Sequence, residues 1–165
     1  MILANIISFF PLLYFVFSFC SIMIKYLKQK NIVPNAIHLY GLLLATFVAA
    51  FMKIFIPYPK WFYSYTRRPL GARDCDYCSS NGGKGGDPGF PSGHMTSTSY
   101  IVMYNILYLL DNNVTLSGLL ILLNLALLLI MGWARMIKKC HNLVQVIGGI
   151  LLGSIIGYYF YNIKN

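Results

Sequence analysis

The stretch GFPSGHMTSTSY, Gly89 to Tyr100, decides how the chain is read. Up to Gly93 it closes a glycine-rich polar loop, and from Met95 it opens an apolar run. A histidine at that junction, behind Pro-Ser-Gly, adds nothing to crossing a bilayer. About 20 apolar residues span a bilayer as a helix. The run Met95 to Leu110 is short for that and begins with Thr96, Ser97, Thr98 and Ser99, so its first turn is expected to line something wet. Outward from it lie four further candidate spans, Leu3 to Ile24, Ala36 to Ile56, Val114 to Trp133 and Leu143 to Tyr161. The expected fold is all-α, a polytopic membrane bundle of about five helices forming a single domain over residues 1–165.

Composition agrees with that reading. Of 165 residues, 58% are hydrophobic and 10% charged, and the mean hydropathy is +0.63. Soluble domains carry about 25% charged residues. The net charge of +9 comes from 13 Lys and Arg against Asp74, Asp76, Asp87 and Asp111, with no glutamate. Lys25, Lys28 and Lys30 suit anionic headgroups. The basic residues of the long loop cluster with glycines and a histidine, which suits an anionic ligand better. The N-terminal run lacks a charged leader and exceeds a signal-peptide core in length, so it reads as a retained anchor.

Five spans place the loop at 57–93 and the link from Ala134 to Asn142 on one face. Three clusters meet there: KWFYSYTRRP with Lys60, Arg67 and Arg68; PSGH, Pro91 to His94; and ARMIKKCHNLVQ with Arg135, His141 and Gln145. Each alone has a bland explanation, since a histidine at a helix start is commonly interfacial and an Arg pair commonly faces lipid. Together they have a chemistry. His94 and His141 each fall at the expected N-terminus of a helix, where unpaired N–H groups and the dipole favour phosphate. Gly93 lets the backbone approach an anion, and Ser92 can cap the helix or donate to an oxygen. Arg68 and Arg135 can hold phosphate oxygens through forked hydrogen bonds. Two histidines can divide the work, one attacking phosphorus and one protonating the leaving oxygen, with no metal or other cofactor required.

These residues resemble the type 2 phosphatidic acid phosphatase superfamily, which includes vanadium haloperoxidases. Its motifs run K-x6-R-P, P-S-G-H and S-R-x5-H-x3-D. Pro91 to His94 match the second fully, and Arg135-x5-His141 keeps the spacing of the third. The resemblance implies that His141 is the nucleophile, forming a phosphohistidine, and His94 the general acid. Lys60, Arg68, Ser92, Gly93 and Arg135 would bind the phosphate, with 57–93 as the active-site loop. It also implies a membrane lipid phosphate or pyrophosphate as substrate and no nucleic-acid partner. The active-site loop would be exoplasmic or luminal. Members in membranes commonly have six spans, so one N-terminal helix is expected to be missing.

Three positions depart from the pattern. Seven residues rather than six separate Lys60 from Arg68-Pro69, which turns Arg68 about 80° round a helix from the Lys60 face; Arg68 is preferred to Arg67. Ala134 replaces the serine. Gln145 replaces the aspartate that would orient His141. One turn along a helix, Gln145 can still accept the imidazole N–H but brings no charge, a loss of roughly 10- to 10³-fold by comparison with a protease triad. A slow enzyme is expected, one that Gln145→Asp should accelerate.

Other features have quieter readings. Cys75-x2-Cys78 suits a local disulfide or free thiols better than zinc, and Cys20 is expected in the core. GGKGGDPG lacks the rest of a phosphate loop and reads as flexible chain, with Lys84 near the substrate entrance. His38 and Lys53 are expected to snorkel to headgroups. Asn105 and Asn124 should bond between helices, and Gly149-x3-Gly153-x3-Gly157 should pack closely within the bundle. Two alternatives remain, a catalytically weak or inactive protein that binds phospholipid headgroups, and a structural membrane protein of a viral envelope.

Overall fold

The computed structural model describes residues 2–28, 30–72, 75 and 83–164. Among the described residues seven helices follow in order: α1 Ile2–Ser8, α2 Phe10–Leu27, α3 Val33–Phe55, α4 Tyr63–Thr66, α5 Gly93–Asp111, α6 Ser117–Ile137 and α7 Leu143–Lys164. Among the described residues the only β pairing is an isolated bridge between Arg67 and Pro88. The architecture is thus an all-helical bundle. Helices α2, α3, α6 and α7 are long and apolar enough to cross a membrane. Their outward faces carry large apolar side chains such as Phe17, Phe47, Leu129 and Tyr158, which suits a hydrocarbon surrounding.

The first expected span is two helices rather than one. Pro11 stands in the first turn of α2, where it lacks an N–H and its ring would collide with the carbonyl four residues back. The chain breaks at Phe9, and α1 turns aside to lie against α6. Cys20, expected in the core, is an exposed thiol on α2.

Helix α5 is the central element, packed against α2, α3, α6 and α7. Its closest partner is α7, and the glycine stripe is the reason. A methyl group on Gly149 would lie 2.7 Å from the Ser92 carbonyl oxygen, and one on Gly157 2.8 Å from that of Tyr100. At Gly153 it would run into the Thr96 carbonyl oxygen. The stripe therefore packs two backbones together inside one chain.

The polar start of α5 is drier than its sequence suggested. Thr96, Ser97, Thr98 and Ser99 are all buried. Ser99 donates to the Ile150 carbonyl at 2.7 Å and meets Ser154 at 2.8 Å, both on α7, while Ser97 bonds Gly93 O at 3.1 Å and Thr46 at 3.1 Å. Neighbouring helices thus take up Ser97 and Ser99, Thr96 bonds back to Ser92 O at 3.0 Å, and Thr98 Oγ1 is buried without a partner among the described residues. Asn105 donates to Asn124 at 3.3 Å between α5 and α6. His38 does not snorkel. It is buried, with its ring 4.0 Å from that of Tyr104, a 3.1 Å contact to Tyr14 and its carbonyl bonded by Tyr100 at 2.7 Å.

Candidate active site

The starts of α5 and α7 are tied together, because the Ser92 N–H donates to the Gln145 carbonyl at 3.0 Å. This brings the two histidines to one end of the bundle. His94 lies within the first turn of α5 and His141 two residues before α7, and both are buried. His94 is within electrostatic reach of His141, Arg135 and Lys53. Ser92 is the N-cap of α5, yet its hydroxyl makes no capping bond. Among the described residues its Oγ is buried without a partner, a donor held at the helix end.

Gln145 organises the other histidine. Its Nε2 donates to two carbonyls, Tyr65 O at 3.0 Å and Arg67 O at 2.7 Å. Only an NH2 group can serve two acceptors, so the amide has one orientation and Oε1 faces His141. Nδ1 of His141 lies 2.9 Å from that oxygen. The imidazole must donate there, which leaves the lone pair on Nε2. Asn142 and Gln145 also cap α7 reciprocally, Gln145 N–H to Asn142 Oδ1 at 3.0 Å and Asn142 N–H to Gln145 Oε1 at 3.4 Å. Burial pushes the His141 imidazole well below its usual range, followed by the charges of Arg135, Lys53 and Arg68 against an opposing pull from Gln145. The residue is therefore neutral at pH 7, with an unprotonated nitrogen.

The cations are sorted by depth. Arg68 is 5% exposed and Arg135 1%, both inside the charged surroundings of His141. Arg135 donates to Ser8 Oγ at 3.0 Å and to the Cys75 carbonyl at 2.7 Å. Arg67 stays nearer the surface, over the Tyr63 ring at 4.3 Å, bonded to Tyr63 Oη and to Gly86 O. The alternation follows from the bridge at Arg67, which turns successive side chains to opposite sides. Lys60 is exposed in the turn before α4. The lysine beside the helix end is Lys53, in the last turn of α3, whose Nζ would lie 3.3 Å from a methyl group on Gly93. This differs from the headgroup-facing position expected for Lys53.

Cys75 pairs with Cys140, 65 residues away. The local Cys75–Cys78 reading is thereby replaced. Cys78 itself lies outside the described residues, as do Asp74 and Asp76. The bond fixes the polar loop to the residue just before His141. Gly83 to Pro88 carry hydrogen bonds: Arg68 N–H to Asp87 O at 2.9 Å, and Lys84 N–H to the Asp87 carboxylate at 2.7 Å.

A family model, described as PAP2 superfamily, matches residues 34–165. The chain belongs to the PAP2 superfamily. Comparison with curated proteins found no match, and neither did comparison with solved structures. PAP2 membership points to phosphatase activity on a phosphorylated substrate and, with the apolar helices, to a membrane protein. The matched segment begins after α2, so α1 and its Ser8 lie outside it. Motif reading missed Lys53, Ser8, Asn142 and the carbonyls of Tyr65 and Arg67. For Asn142 a signal was present, since Asn-Leu-Val-Gln has capping-box spacing. For the others contact depends on how distant segments cross.

Proposed function

We propose that the chain is a metal-independent lipid phosphatase that works through a phosphohistidine on His141. The observation that carries this reading is the fixed tautomer: Gln145 Oε1 accepts a hydrogen bond from Nδ1–H, which leaves the lone pair of the buried imidazole on Nε2 as nucleophile. Phosphate would sit against the N-terminus of α5, taking bonds from Ser92 and the Gly93 N–H, with Arg68, Arg135 and Lys53 balancing its charge. As the Nε2–P bond forms, the P–O bond to the leaving group breaks and its oxygen takes a proton from His94. Burial and the nearby cations hold His94 neutral before phosphate binds, so the imidazolium that donates would form only with the phosphate anion bound beside it. Water, deprotonated by His94, then attacks the phosphohistidine, releasing phosphate and restoring both histidines. Lys53 takes the place first given to Lys60.

The substrate on this reading is a lipid phosphomonoester or pyrophosphate, of the phosphatidate or isoprenyl pyrophosphate kind, because the site lies at the end of helices whose flanks are apolar. The chain would cross the bilayer several times with the site on the exoplasmic or luminal side. The Cys75–Cys140 bond supports that side, since disulfides persist in oxidising compartments. A second reading, a headgroup-binding protein with little or no turnover, is favoured by the neutral Gln145. Phosphate release in EDTA separates the two. Wild type should release phosphate from one of these lipids and His141→Ala should release none; an equally active His141→Ala would remove the nucleophile.

A further inference from the structure

We propose that the chain has a second anion subsite beside the histidine pair, formed by Lys53, Tyr58, Tyr63 and Arg67, and that its substrate carries two phosphoryl groups. The inference rests on the phosphohistidine reading above. It names which part of a substrate each group of cations would take.

A cavity of about 290 Å³ opens between the end of α3, the segment through α4 and the chain from Pro88 to Phe90. Lys53 and Arg67 supply its charges, Tyr58 and Tyr63 its hydroxyls, and Pro88 and Phe90 apolar walls. This cavity is not the histidine pocket, but Lys53 belongs to both, since its Nζ also approaches Gly93 at the start of α5. Arg67 is held for the role. Its guanidinium lies on the Tyr63 ring and bonds Gly86 O at 3.1 Å, and its own carbonyl takes the Gln145 amide. A cation fixed in this way loses little freedom when it binds an anion.

Two phosphoryl groups joined by one oxygen would use both places. The outer group sits against α5 and is attacked by His141 Nε2. The bridging P–O bond breaks, its electron pair goes to the inner group, and that oxygen takes the His94 proton. Ahead of that proton, negative charge gathers on the inner phosphate in the transition state, where Lys53 and Arg67 stand. A monophosphate leaves the second cavity empty. The same second anion could come from a glycerol-linked phosphodiester, as in phosphatidylglycerol phosphate.

Binding and turnover are measured side by side on the full chain in detergent. Calorimetric titration with methylenediphosphonate and with orthophosphate needs no turnover. The diphosphonate should bind ~10- to 100-fold tighter, as extra charge-assisted hydrogen bonds allow, and Arg67→Gln should remove most of that advantage. Tyr63→Phe, a milder change, should remove part of it. Equal affinities, or an advantage that survives Arg67→Gln, overturn the subsite. Phosphate release is compared for isoprenyl diphosphate against its monophosphate and phosphatidylglycerol phosphate against phosphatidate. A preference for either two-phosphoryl lipid that shrinks in Arg67→Gln supports the subsite and identifies the source. No release from any lipid, with the diphosphonate advantage intact, overturns the phosphatase reading and leaves the subsite standing.

Discussion

At Gln145 one amide orients His141, caps α7 and gathers two carbonyls of the segment before the loop. This geometry argues against a carboxylate of the same length here. A carboxylate has no donor for Tyr65 O or Arg67 O and would set oxygen against oxygen. Gln145→Glu should lower stability by about 1–3 kcal/mol, the cost of stranding buried polar groups, and should slow turnover; thermal melting and phosphate release check both, and a faster enzyme would mean the amide is not held as described. Lys53 gives a second test at this scale. Lys53→Met should cost ~10- to 100-fold in kcat/KM, the worth of a charge-assisted bond, whereas Lys60→Met should cost little. The reverse order would return the role to Lys60. The motifs that carry both histidines, Ser92, Arg68 and Arg135 could be read because they are local in sequence, and the fold buries all five at one end of the bundle. Lys53 could not be read, since its approach to Gly93 depends on how the end of α3 crosses the start of α5.

Among the elements, α5 and α7 form the rigid pair that holds both histidines. Their approach needs glycine at 149, 153 and 157, where any Cβ meets the backbone of α5. Gly153→Ala should therefore destabilise by about 1–3 kcal/mol, the usual cost of overpacking, and part His94 from His141. Melting temperature and turnover should fall together; an unchanged melting point would show that the helices can separate without cost. The apolar runs announced the long helices, because bilayer thickness sets a length that hydropathy can be scanned for. The break at Phe9 was harder to see, since Pro11 is tolerated in a helical first turn and only the path of α1 reveals the division. The Thr-Ser start of α5 misled in another way: hydroxyls signal polarity, but not whether water or a neighbouring helix supplies the partner.

In the molecule as a whole, the Cys75–Cys140 bond joins the polar loop to the link before α7. Closing a loop of that length should contribute about 4 kcal/mol through the unfolded chain. Cys140→Ser should lower stability by up to that amount and reduce turnover, because the Cys75 carbonyl would no longer be held on Arg135. Melting with and without reductant measures it; insensitivity to both changes would mean that the bond does not form. Sequence could not choose this pairing, since Cys78 is nearer to Cys75 and spacing favours the nearer thiol. The pairing also sets an order of events during synthesis. Cys75 emerges well before its partner, with α5 and α6 still to be threaded between them. Until the link carrying Cys140 reaches the same side, a half-made chain cannot lock its loop. The newborn protein would stay catalytically silent until its topology is complete.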